Sequence, residues 1–165
     1  MTGSLEESHY EVVRDEYESD QRSLSDFSVT QDSPTRIAVV SKPTGDIRTY
    51  CDEWMPSLGM PEKYLKRYRQ YLAGYKTNSA VDDPYERAWI DAGLEKEYLR
   101  HIRSSDEAQN ALSELVCRLN DGEDVTLVCY EKPGEPCHRH LLIELIESRL
   151  SSKFFNKNRD SPLTA

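Results

Sequence analysis

Apolar residues along this chain fall into two rhythms. Arg36 to Ser41 (RIAVVS) and Val125 to Tyr130 (VTLVCY) are short, unbroken, β-branched runs flanked by turn-forming residues. That pattern suits strands buried on both faces. Elsewhere the apolar positions recur at three- and four-residue steps. Pro61 stands where a helix begins, and Tyr64, Leu65, Tyr68, Tyr71, Leu72 and Tyr75 follow it, with Gly74 weakening the pattern. Asp83 before Pro84 is a second start signal, ahead of Ala88, Trp89, Ala92, Leu99 and Ile102, and Gly93 breaks or bends this helix. Ser104 and Glu107 have capping-box spacing in front of Ala108, Ala111, Leu112, Leu115, Val116 and Leu119, and Asn120 to Gly122 end that helix. Leu141 to Leu150 is a further apolar helix.

Helix, strand, loop and helix in succession are the grammar of an α/β domain. The expectation is a small, mostly parallel sheet packed by about four or five helices, occupying residues 34–152 as one domain without internal repeats. The RIAVVS run should open it. Residues 1–33 hold nine acids (Glu6, Glu7, Glu11, Asp15, Glu16, Glu18, Asp20, Asp26, Asp32) against Arg14 and Arg22, with scattered apolar residues, which predicts a disordered acidic tail. Residues 153–165 are expected to form a flexible C-terminal tail.

Charge changes the picture only through its distribution. The net −9 is carried mostly by that tail, so the domain surface is close to neutral and a polyanionic partner is not excluded. No apolar run approaches membrane-span length, and the acidic start is unlike a signal peptide. These features predict a cytoplasmic protein with no membrane contact. Its four cysteines, Cys51, Cys117, Cys129 and Cys137, should be free thiols.

Candidate chemistry gathers after the second strand, in Cys129-Tyr130-Glu131-Lys132-Pro133-Gly134-Glu135-Pro136-Cys137-His138-Arg139-His140. Ligands of α/β sheets bind at such strand ends. If Pro136 sets the first helical turn, Cys137, His138 and Arg139 lie near unpaired amides, where a thiol ionises readily and an anion is stabilised. Cys137 is then the candidate nucleophile, His138 or His140 the proton carrier, Glu131 an acid or base, and Arg139 an anion clamp.

The run Thr126 to Glu131, followed by Cys137-His138-Arg139 and an apolar helix, resembles the C-terminal signature of the domain of unknown function 488 (DUF488) family. A looser likeness covers residues 36–150 through Trp54 to Leu58, the tyrosine-rich helix and Trp89 to Tyr98. Asp46-Ile47-Arg48 is similar to an Asp-Val-Arg that members carry near their first strands. The resemblance implies a compact α/β fold and a cytosolic protein, and places Cys129, Glu131, Cys137, His138 and Arg139 on the family's characteristic positions. It implies no particular reaction.

Three functions compete at this stage. The first is an enzyme acting on an anionic small molecule or nucleic-acid fragment; the second is a non-catalytic module binding a phosphorylated ligand or nucleic acid through the same loop. The third is a structural or interaction protein that recruits a protein partner through its acidic tail. A zinc site at Cys129, Cys137, His138 and His140 is disfavoured. There is no Cys-x-x-Cys knuckle, and adjacent Cys137 and His138 would diverge by about 100° on a helix, so no metal or cofactor is expected. Lys63, Lys66, Arg67 and Arg69, interleaved with tyrosines, suit single-stranded nucleic acid, but the same spacing is ordinary amphipathicity.

Overall fold

The computed structural model describes residues 1–22 and 33–157. Among them the chain forms β1 (Leu5–His9), α1 (Tyr10–Arg22), β2 (Thr35–Ala38), α2 (Ile47–Tyr50), β3 (Glu53–Trp54) and a 3₁₀ turn at Pro56–Leu58. Then come α3 (Glu62–Lys76), α4 (Pro84–Asp91), α5 (Leu94–Ser104), α6 (Asp106–Asn120), β4 (Val125–Cys129) and α7 (His138–Lys157). The four strands make one parallel sheet in the order β1-β4-β2-β3. The fold is α/β, as the alternation of patterns predicts, with seven α-helices among the described residues.

β4 lies in the middle of the sheet and is buried at all five positions, which is why its sequence is continuously apolar. The alternation of β2 divides the core. Ile37 and Val39 join Leu58, Leu94, Tyr98, Leu112, Leu115, Leu127 and Leu142 on the face covered by α5, α6 and α7. Ala38 and Val40 join Val13, Ile47 and Val128 on the other face, under α1 and α2. At roughly 25 cal/mol per Å² of apolar surface, each fully buried leucine in the larger cluster contributes about 2 kcal/mol.

Residues 1–22 correct the tail predicted from composition: they are a strand and a helix, and the RIAVVS run does not open the domain. β1 pairs along its whole length with β4, from Leu5 opposite Val125 to His9 opposite Cys129. The Gly3 amide donates to the Leu119 carbonyl at 2.7 Å, and the Ser4 amide and hydroxyl donate to the Asp124 carboxylate at 2.6 and 2.8 Å. Gly3 is required there, because a Cβ would sit 1.9 Å from the Glu123 carbonyl oxygen. In α1 the acids Glu11, Asp15, Glu16, Glu18 and Asp20 face solvent, while Val13 is buried and Tyr10 and Tyr17 pack on Tyr50 with ring centroids 5.8 and 5.3 Å apart. High charge on one helical face hid an apolar stripe on the other. Residues 23–32 of the expected tail, and 158–165 at the C-terminus, lie outside the described residues.

Helix boundaries follow the start and stop signals with local shifts. The Asp83 side chain accepts from the Tyr85 and Glu86 amides, both at 3.0 Å, with Pro84 at the first helical position. Gly93 does break the helix: its left-handed φ of 64° separates α4 from α5. The cap of α6 is Ser105, whose hydroxyl accepts from the Ala108 amide at 3.2 Å, one residue past the predicted Ser104, which ends α5. α7 starts at His138, three residues before the predicted Leu141, and runs on to Lys157. No helix among the described residues is long and apolar enough to cross a membrane.

Candidate functional site

Neighbouring parallel strands deliver their carboxyl ends to the same edge of the sheet. Beyond β2 the chain continues as Val39, Val40, Ser41 and Lys42; beyond β4 it continues as Tyr130 and Glu131. Between them is a pocket of about 280 Å³, walled by Val40, Ser41, Lys42, Thr44, Cys129, Tyr130, Glu131 and His138, and closed by Met60, Glu62, Leu65 and Arg69. Roomier hollows elsewhere, of about 410, 510 and 640 Å³, have no cysteine or histidine in their walls. The Tyr130 hydroxyl donates to the Thr44 carbonyl at 2.6 Å and accepts from the Thr44 amide at 2.5 Å, tying the two loops together.

Four of the expected side chains converge. Cys137 precedes the first residue of α7, so it is not held at a 100° helical angle to His138. Its sulfur lies 3.9 Å from His138 Nδ1, and 3.4 Å from both Cys129 Sγ and a Glu131 carboxylate oxygen. The same oxygen lies 2.5 Å from Cys129 Sγ. Cys129, Cys137 and His138 are only 1%, 3% and 3% exposed, while Glu131 is half-buried on the pocket wall. His138 Nε2 is 2.7 Å from the Val39 carbonyl oxygen, which only accepts, so the Nε2 proton donates there. The Arg139 amide donates to Cys137 Sγ at 3.4 Å. The ring of Tyr98, whose hydroxyl donates to the Leu58 carbonyl at 2.8 Å, packs 5.1 Å from the imidazole.

These groups shift one another strongly. Contact with the Cys129 thiol, then the hydrogen bond and charge of His138 and the charge of Arg139, hold Cys137 far below the ordinary thiol range against the opposing effect of burial. The Cys129 thiol is correspondingly pushed well up, by Cys137 first and burial second. Burial raises the Glu131 carboxyl, helped by the Cys137 charge. Burial by itself lowers His138, but the Cys137 sulfur and Glu131 outweigh it and the imidazole is raised. Of the two thiols, Cys137 is thus the one that gives up its proton more readily and Cys129 the one that keeps it. Together Cys129, Glu131, Cys137 and His138 form the one group among the described residues able to hold a metal ion, their donor atoms all within 4.8 Å of one another.

Two expected residues are elsewhere. Arg139 is 4% exposed and committed to β1: Nε donates to the Glu7 carboxylate at 3.2 Å and Nη1 to the Ser8 carbonyl at 2.5 Å. Its guanidinium fastens the edge strand and does not face the pocket, in contrast to the clamp expected from the motif. His140 is exposed, with Nδ1 3.3 Å from the same Glu7 carboxylate. The cations on the pocket wall are Lys42 and Arg69, the latter 2.8 Å from Glu62. Lys42 escaped notice because nothing in its neighbourhood marks chemistry; its position just after a parallel strand was the available signal. Of the tyrosines of α3, Tyr71 is exposed and the other three are partly buried. Tyr64 and Tyr68 lean on the core, burial pushing Tyr68 up to about 12, and the Tyr75 hydroxyl donates to Asp91 at 2.5 Å.

A family model described as the active DUF488-N3 subclade matches residues 22–150, well over half of the chain. No curated protein and no solved structure gives a significant match.

Proposed function

The chain belongs to the DUF488 family, and on that premise we propose that it is an enzyme acting on an anionic substrate of about nucleotide size in the pocket between β2 and β4. One observation carries the reading: Lys42 and Arg69 share a pocket wall with Cys129, Glu131 and His138, with Cys137 directly behind. Two cations at the mouth and a buried thiol-imidazole-carboxylate group at the floor divide recognition from chemistry. The substrate anion is held by Lys42 and by Arg69, which exchanges Glu62 for it. Glu131, half-buried and with a raised pKa, carries the proton. Cys137 is the electron-rich atom and His138 balances its charge. The description of the matched subclade as active supports an enzyme reading.

The test begins with binding of inorganic phosphate and a panel of nucleoside monophosphates, followed by calorimetry, and continues with turnover of any compound that binds. Lys42→Ala and Arg69→Ala should each weaken binding by about 10- to 100-fold, the loss expected for one charge-assisted contact. Cys137→Ser and Glu131→Gln should keep binding and lose turnover. Binding that survives both cation substitutions would sink the reading; turnover that survives Cys137→Ser would reduce the protein to a binding module.

A further inference from the structure

The thiolate chemistry of this cluster has a more specific form. We infer that Cys129, Cys137, His138 and Glu131 are the four ligands of a thiophilic divalent cation, of which zinc is the natural occupant, with Glu131 as the exchangeable ligand facing the pocket. The inference rests on the reading of this cluster as the reacting centre and names what the thiolate does there: it binds a Lewis acid.

Geometry supports it at each ligand. Donors bound to zinc at about 2.0–2.3 Å in a tetrahedron lie roughly 3.3–3.8 Å from one another. Cys137 Sγ stands 3.4 Å from Cys129 Sγ, 3.4 Å from the Glu131 oxygen and 3.9 Å from His138 Nδ1, close to those edges. The Glu131–Cys129 edge, at 2.5 Å, is shorter, so the carboxylate must step back by roughly 1 Å when a cation enters. It is also the ligand with room to move, being only partly buried while the other three are buried.

The surroundings match what a metal site requires beyond its ligands. Because His138 Nε2–H is spent on the Val39 carbonyl, Nδ1, which faces Cys137, is the nitrogen left to give up its proton and bind an entering cation, in the orientation of a ligating histidine. The Arg139 amide donates to Cys137 Sγ, a contact that steadies a metal-bound thiolate. A set of two sulfurs, one nitrogen and one oxygen selects zinc-like ions over magnesium or calcium. The divergence that argued against such a site applies to two residues inside one helix, and Cys137 stands outside it. When Glu131 swings away, the three remaining ligands would hold the cation with one position free for whatever Lys42 and Arg69 hold, the open-site arrangement of catalytic zinc.

The experiment uses the full, untagged chain, reduced, assayed for zinc as purified and then stripped with a chelator and titrated with Co²⁺. The expected result is one zinc per chain, and a one-to-one Co²⁺ titration with a near-ultraviolet thiolate-to-cobalt charge-transfer band and the intense visible bands of a tetrahedral ion. Cys129→Ser should remove about half of the charge-transfer intensity, and Cys117→Ser none of it. Should Cys129→Ser fail to fold, Glu131→Gln serves in its place: both sulfurs remain, so the band stays while Co²⁺ affinity falls at least tenfold. Absence of the band in the reduced wild type, or a band unchanged in Cys129→Ser, overturns the inference. If the band is absent while Cys137→Ser still abolishes turnover, the metal is wrong and the enzyme reading stands. A one-to-one cobalt site together with phosphate binding indifferent to Lys42→Ala and Arg69→Ala supports the metal and removes the anion reading.

Discussion

Replacing Arg139 by leucine separates the role its motif suggests from the role its surroundings give it. The side chain is 4% exposed and holds the edge strand at two points, the Glu7 carboxylate and the Ser8 carbonyl. Leucine restores much of the volume but leaves the Ser8 carbonyl facing an apolar group and Glu7 without its strongest partner. An unsatisfied carbonyl costs about 1–3 kcal/mol where it is shut off from water, and the part-buried Ser8 carbonyl falls in the middle of that range. The ion-pair contribution is discounted, because Glu7 is 38% exposed and partly solvated. The sum is about 2–3 kcal/mol, or a fall in Tm of roughly 5–10 °C for a domain of this size. Thermal unfolding followed by circular dichroism measures the total, and amide hydrogen exchange locates it. Exchange should accelerate across Leu5–His9 while Val125–Cys129, flanked by β2 on its other side, stays protected. Glu7→Gln should cost less, about 1 kcal/mol, and the double variant should fall short of the sum of the two. A Tm within about 1 °C of wild type, combined with a loss of phosphate affinity, would refute this account and return Arg139 to the substrate.

Three further outcomes follow from the fold. Arg118 hydrogen-bonds Glu123 and, more weakly in effect, Thr35 joins it, holding the Glu123 carboxyl at about 2. That value is below the unfolded one of about 4.3, so the contribution is complete above that pH and fades as pH falls towards about 2. The Tm difference between wild type and Arg118→Met should therefore narrow over that window in a pH series of melting curves; an unchanged gap at pH 2 would contradict it. Gly93→Ala should destabilise by about 1 kcal/mol in urea unfolding, because its φ of 64° is costly for any Cβ although the space is open, the nearest atom being 3.7 Å away. Ser105→Ala should cost about 1 kcal/mol by the same method, whereas Ser104→Ala should be close to neutral, since Ser105 is the cap of α6.

Periodicity and capping chemistry made the helices from Glu62 to Asn120 legible, because each turns one apolar stripe to the core and starts or stops at a residue whose backbone or side chain suits that place. The central strand was legible as a continuous apolar run, since a strand buried on both faces admits little else. The Cys-x-Glu and Cys-His-Arg spacings, lying at the end of that strand, located the candidate site. Tertiary structure decided the remainder. β1 has almost no apolar signature of its own; it is a strand because Val125–Cys129 offers unpaired backbone groups along one edge and because Gly3, Ser4, Glu7 and Ser8 are tied to distant partners. Those same ties reassigned Arg139. Lys42 and Arg69 reach the pocket from 87 and 60 positions before Cys129, a juxtaposition that parallel pairing and α3 packing create and no local pattern records. The convergence of two thiols, an imidazole and a carboxylate likewise depends on a loop that brings Cys137 back over Cys129 and leaves it just ahead of the helix. Local sequence determines which way a segment turns its own side chains; which groups then meet depends on long-range pairing, whose energy resides in contacts between residues far apart in the chain.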